Sequence, residues 1–158
     1  PRLADFGQAR LSSEQSPALG TLFYMAPEQA DLHATPDPRW DVYALGALLH
    51  HLLVGQPPHR TPDNEARLQR AATLEEKLAI YRELVAKGPT PASHRQRPGV
   101  DARLAAIVDR CLAVDPTQRF PTARAVTDAL SARAHYQSLR PVLWLGGLLP
   151  LKIGRAHV

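Results

Sequence analysis

A chain of 158 residues, 44% hydrophobic and 22% charged, is long enough for one domain with a buried core and has the balance of an ordinary globular protein. Its formal net charge of +4 is scattered, without a block of Lys and Arg and with few aromatics, so it offers no basic stripe or stacking platform for nucleic acid. Cys111 is the single cysteine, which excludes an internal disulfide and suits a reducing compartment.

The chain starts at Pro1 rather than Met, which points to a cut end or fragment boundary, and no signal peptide precedes the first motif. That motif is Asp5-Phe6-Gly7. Residues 8–19 follow as a polar stretch with Ser12, Ser13, Ser16 and Pro17, whose lack of apolar periodicity predicts a loop. Next comes Gly20-Thr21-Leu22-Phe23-Tyr24-Met25-Ala26-Pro27-Glu28. Asp-Phe-Gly followed at this distance by Ala-Pro-Glu reproduces, in order, two parts of the protein-kinase signature set. At these residues the chain resembles a eukaryotic-like (Hanks-type) serine/threonine protein kinase, of the kind bacteria also carry. The resemblance runs from about residue 1 to about residue 133 and covers the back half of a kinase domain.

The resemblance implies a mainly α fold, the C-terminal lobe of a protein-kinase-like domain whose parent is α+β. It implies ATP and Mg2+ as cofactors, with Asp5 as the magnesium ligand; a carboxylate oxygen suits this hard cation beside the clustered charge of the phosphates. Phe6 would pack inward, and Gly7 would permit the turn that swings the loop. Residues 8–19 would be the activation loop, with Ser12, Ser13 and Ser16 as phosphate acceptors able to recruit arginines, or else an unmodified solvated loop. Gln8 departs from the family's usual apolar residue. Thr21 would hydrogen-bond the catalytic loop and favours Ser or Thr of protein substrates as acceptor, against the plainer reading of a turn residue. Glu28 is expected to pair with Arg119, because Asp115-Pro116-Thr117-Gln118-Arg119-Phe120 matches the family's later arginine segment. Asp41 would hold the catalytic-loop backbone, or serve only as a first-turn acid on its helix. Trp40 stands where a small polar residue is more usual.

Further along, residues 27–32 predict a short helix and residues 42–54 a helix that is apolar nearly all round, hence buried. His50 and His51 are adjacent, point about 100° apart, and do not suit one metal. Residues 55–64 predict a loop. Thr73-Leu74-Glu75-Glu76 is a capping box, opening a helix with Leu74, Leu78, Tyr81, Leu84 and Val85 in one stripe and Gly88 as its stop. This stripe belongs in the host core, although the family also docks partners near here. After a loop over residues 89–99, helices are predicted over 101–114 and, with Thr122 as N-cap, over 121–133. Cys111 falls on the apolar face of the first of these, as a packing residue.

Residues 134–151 form a juxtamembrane or apolar tail. The run 141–151 is too short to cross a bilayer, which needs about 20 apolar residues. It makes either a buried or apolar end, or the start of a transmembrane helix with Arg133 and Arg140 holding the kinase on the cytoplasmic side. Residues 153–158 are what the codons ATC GGA AGA GCA CAC GTC encode, a string similar to a common sequencing adapter. Residues 152–158 are therefore set aside as an artefact.

The family's Gly-rich loop, strand lysine and catalytic loop all precede Asp5. The expectation is a fragment of a Ser/Thr kinase, inactive alone and poorly soluble where its central helix has lost its cover. The alternative is a pseudokinase lobe acting as a binding or scaffold module; Asp5, Gly7 and Thr21 favour catalysis, because a scaffold needs no metal ligand.

Overall fold

The computed structural model describes residues 19–146. In chain order these hold α1 (Leu19–Leu22), a 3-10 turn (Pro27–Ala30), α2 (Arg39–Val54), α3 (Pro62–Gln69), α4 (Leu74–Lys87), a second turn (Ser93–Gln96), α5 (Ala102–Cys111), a third (Pro116–Gln118) and α6 (Ala123–Gly146). There is no strand among the described residues, as the mainly α expectation required.

Helix α2 is the hub. Val42, Tyr43, Ala47 and His50 are buried on it, and α5 crosses it closely. The crossing needs Gly46: a Cβ there would lie 2.5 Å from Cβ of Cys111. Gly55 then ends the helix at φ 92°, a left-handed conformation that costs glycine little, and its N–H bonds the His51 carbonyl at 2.7 Å. The helix is not buried all round, however. Leu48 and Leu52 are 46% and 73% exposed, so one apolar face lacks cover from the described residues.

Helix α3 replaces part of an expected loop. Pro62 at its first turn supplies a helical φ, and Thr61 Oγ1 accepts from Asn64 N at 3.1 Å. It buries only Leu68, which leaves too thin a stripe for periodicity to detect. In α4, Thr73 caps Glu76 N at 3.1 Å, while the Glu76 carboxylate accepts from Ala72 N at 2.8 Å, one residue upstream of the reciprocal capping-box bond. Gly88 ends α4 in extended backbone (φ −72°) rather than a left-handed turn. Asp101 caps α5 through Leu104 N at 2.8 Å.

Helix α6 begins as expected, with Thr122 Oγ1 accepting from Ala125 N at 3.3 Å, but runs 24 residues to Gly146, through Pro141. The longer helix has a visible tie. Arg133 Nε donates to both Asp101 oxygens at 3.1 and 3.0 Å, and Gln137 Nε2 to Oδ2 at 2.5 Å. The Arg103 guanidinium also lies 3.7 Å from the Tyr136 ring centroid. Positions 133, 136 and 137 share one helix face, so these contacts tie the helix to α5 beyond Leu130, its last residue packed on the core. No helix among the described residues is long and apolar enough to cross a membrane.

Three apolar clusters form the core. One packs α4 on Leu22, Phe23 and Ala30; one packs α2 and α5 on Ala26; the third joins α2, α5 and α6 through Val42, Cys111, Phe120 and Val126. The first two therefore sandwich the segment around residues 22–30.

Candidate functional site

Asp5, Phe6, Gly7, Ser12, Ser13 and Ser16 lie outside the described residues. Thr21 is exposed on α1, its carbonyl accepting from Tyr24 N at 3.1 Å. Asp41 is exposed on the first turn of α2, where its charge meets the positive end of the helix. Among the described residues no group of three His, Cys, Asp or Glu side chains can hold a metal ion.

Glu28 and Arg119, 91 positions apart, meet in a two-toothed pair: Nη1 to Oε1 at 2.6 Å and Nη2 to Oε2 at 2.8 Å. Every arm of the guanidinium is used. Nε donates to the Ala113 carbonyl at 2.7 Å, Nη1 to that of Arg39 at 3.2 Å and Nη2 to that of Val114 at 3.1 Å. The Tyr43 ring lies 4.9 Å from the guanidinium carbon. The Arg119 side chain is wholly buried, whereas Glu28 keeps a quarter of its exposure. A lysine could not satisfy this fork. The pair thus joins the turn Pro27–Ala30, the start of α2 and the loop after α5 at one point.

Two further ties hold the residues before Glu28. The Tyr81 hydroxyl, from α4, donates to the Met25 carbonyl, and its ring meets Phe23 edge-on at 6.5 Å and 78°. The Tyr24 hydroxyl hydrogen-bonds with His51 Nδ1 on α2. Within the segment, Ala26 N donates to Gln29 Oε1 at 2.9 Å. Tyr43 is buried beside Tyr81; loss of water pushes its phenol up to about 12 and that of Tyr81 well above the usual 10.0. Both hydroxyls therefore keep their protons at neutral pH.

A third group of residues lies behind α2. His50 Nδ1 is 3.0 Å from the Gln56 carbonyl, and Nε2 is 3.1 Å from Ser93 Oγ. His94, fully buried, meets His50 edge-on at 5.5 Å and lies 3.2 Å from Asp109 Oδ1. His59 has φ 61° and is pushed down to about 4, by burial first and His50 second; burial also lowers His50. His50 and His51 thus turn to different partners, as their 100° offset requires. Cys111 is buried and its thiol is pushed up to about 12, so it packs rather than reacts.

Of the long-range contacts, the Glu28–Arg119 pair carries a sequence signal, because each partner sits in a motif. Tyr81 could be placed only on the apolar stripe of α4, and nothing in the order of residues links it to Met25. His94 lay in a loop, 44 positions from its neighbour His50.

The protein kinase domain model matches residues 1–130, a span that includes both partners of the buried pair. The chain belongs to the protein kinase domain family. Curated relatives of this kinase chain include serine/threonine-protein kinase PknB of Mycobacterium tuberculosis, 32% identical over 129 residues, and PknB of Mycobacterium leprae, 30% identical over 128. Serine/threonine-protein kinase PknH of Mycobacterium bovis is 32% identical over 126 residues. Each alignment covers 77% of this chain but only 18% (PknB) or 19% (PknH) of the relative. The kinase chain therefore spans less than a fifth of the length of the relatives it matches.

Proposed function

We propose that residues 1–133 are the C-terminal-lobe part of a serine/threonine protein kinase that moves the ATP γ-phosphate onto Ser or Thr hydroxyls of proteins. The observation that supports this best is the family match over residues 1–130, within which Glu28 and Arg119 are paired. Asp5 would hold Mg2+, which neutralises phosphate charge during transfer. Thr21, exposed just before the segment 22–28, would contact the catalytic loop and the acceptor side of the site. Glu28 and Arg119 act structurally, by fixing that segment, and Asp41 would support the catalytic loop. Ser12, Ser13 and Ser16 are the proposed phosphate acceptors of the loop between the motifs.

Alone, this chain is expected to be inactive, since positioning and charge stabilisation come largely from groups upstream of Asp5. A cytoplasmic kinase domain followed beyond residue 141 by a membrane anchor fits the apolar run 141–151 and its preceding arginines. Residues 152–158 are proposed to be adapter-derived. The test is phosphoryl transfer to Ser/Thr peptides by the full-length protein with ATP and Mg2+. Transfer that is abolished by Asp5→Asn supports the reading. A full-length protein with no transfer would instead be a scaffold built on a kinase lobe.

A further inference from the structure

Segment 22–28 is held from two sides, and one of them is a single hydroxyl. On the α2 side stand the Glu28–Arg119 pair and the Tyr24–His51 hydrogen bond. On the α4 side, Tyr81 alone among the described residues gives the segment a polar tie, from its hydroxyl to the Met25 carbonyl. Tyr81 is 1% exposed, so no water competes for that carbonyl from the hydroxyl's side. Its ring rests on Phe23 and shares a cluster with Leu22, Leu78 and Leu84, which fixes where the hydroxyl sits. The buried Tyr43 ring lies under the Arg119 guanidinium on the other side, and its hydroxyl has no hydrogen-bond partner among the described residues, so the Tyr81 hydroxyl acts on Met25 without a polar relay to Arg119.

We propose that Tyr81 is a positioning residue for the protein substrate: its hydroxyl sets the path of the backbone at residues 24–26, and through it α4 sets how well the acceptor peptide is held. The inference rests on the kinase reading of Thr21 and the residues after it as substrate-facing. It names a residue outside the motifs, on a helix that touches neither Asp5 nor Thr21 in sequence. The hydroxyl is separable from the packing, because phenylalanine keeps the ring on Phe23 and loses only the donor.

The test is Tyr81→Phe in the full-length kinase that carries this chain. The expected result is a KM for a Ser/Thr peptide raised roughly three- to tenfold, the range of one lost hydrogen bond. The KM for ATP should stay close to wild type, the melting temperature should fall by only a few degrees as the Met25 carbonyl loses its donor, and Tyr81→Ala should lower both activity and stability further. Unchanged peptide KM, or equal changes in both KM values with kcat, overturns the proposal and leaves Tyr81 a core residue. A second readout is independent of activity: amide exchange at residues 24–26 should rise about tenfold in Tyr81→Phe, with α5 unchanged. If the wild type transfers no phosphate, the kinase reading fails, and exchange alone decides whether the hydroxyl fixes this backbone. Unchanged exchange overturns that claim.

Discussion

Among the described residues the two arginine–carboxylate pairs that reach farthest along the chain differ in burial. At Arg119 the guanidinium is fully buried and shared between Glu28 and three carbonyls. At Arg133 the side chain is 17% exposed and its partner Asp101 30%, with a neighbouring glutamine filling the remaining lone pair. The chemistry is the same, but the cost of loss is not. Deleting Arg119 leaves three carbonyls without their donor around a fully buried side chain, and takes the partner from Glu28, itself a quarter exposed, whereas water can replace Arg133. The first pair holds the segment before α2 in one arrangement; the second steers where a helix leaves the lobe.

The largest expected effect is therefore Arg119→Ala, which should cost roughly 3–5 kcal/mol and open residues 22–28 to protease. Thermal melting and limited proteolysis check this; unchanged cleavage there would erase the distinction between the pairs.

Acid gives the next effect. His59 is held near 4 when folded, below its ordinary 6.5, so the unfolded chain takes up a proton that the folded one refuses. Stability is complete above about pH 6.5 and falls as pH drops toward 4, by up to about 3 kcal/mol. His50, lowered in the same direction, adds to this loss. Asp101, held at about 2 first by Arg133 and then by Leu104 N, stays ionised throughout that window and fails only between about 4 and 2. Melting curves from pH 7 to 4 should thus drop while the Asp101 clamp persists, and His59→Phe should flatten them.

Asp101→Ala should be milder. Losing a partly exposed pair and a helix cap costs about 1–2 kcal/mol, and amide exchange should rise in α6 beyond residue 133 more than in its first two turns. Uniform exchange along α6 would show that the clamp steers nothing. Smallest of all, Lys87→Ala removes an exposed i,i+4 pair with Glu83 and should shift stability by less than about 0.5 kcal/mol.

Much of this was legible from residue order. The stripe of α4, the caps at Thr73 and Thr122, and the inward face of α5 follow from periodicity and polar punctuation, whereas Asp101, expected inside α5, is its cap. Glu28 and Arg119 were legible because each lies in a recognisable motif. Helix α3 was hidden, since Pro62 signals loop or helix start with equal force and only Leu68 is buried. The extent of α6 was hidden because Pro141 argues for a stop, while the ties that sustain the helix reach back to Asp101 and Arg103. Tyr81, His59 and His94 act through neighbours far along the chain, which no local pattern encodes.

The central claim is that a forked, buried guanidinium holds the segment after Thr21 in place. Amide exchange across residues 22–28 in the full-length kinase, wild type against Arg119→Lys, tests it most directly. Lysine keeps the charge and loses the fork, so the account predicts at least about tenfold faster exchange there with α5 unchanged. Equal exchange in both proteins would mean that charge alone suffices and that the geometry of Arg119 is incidental.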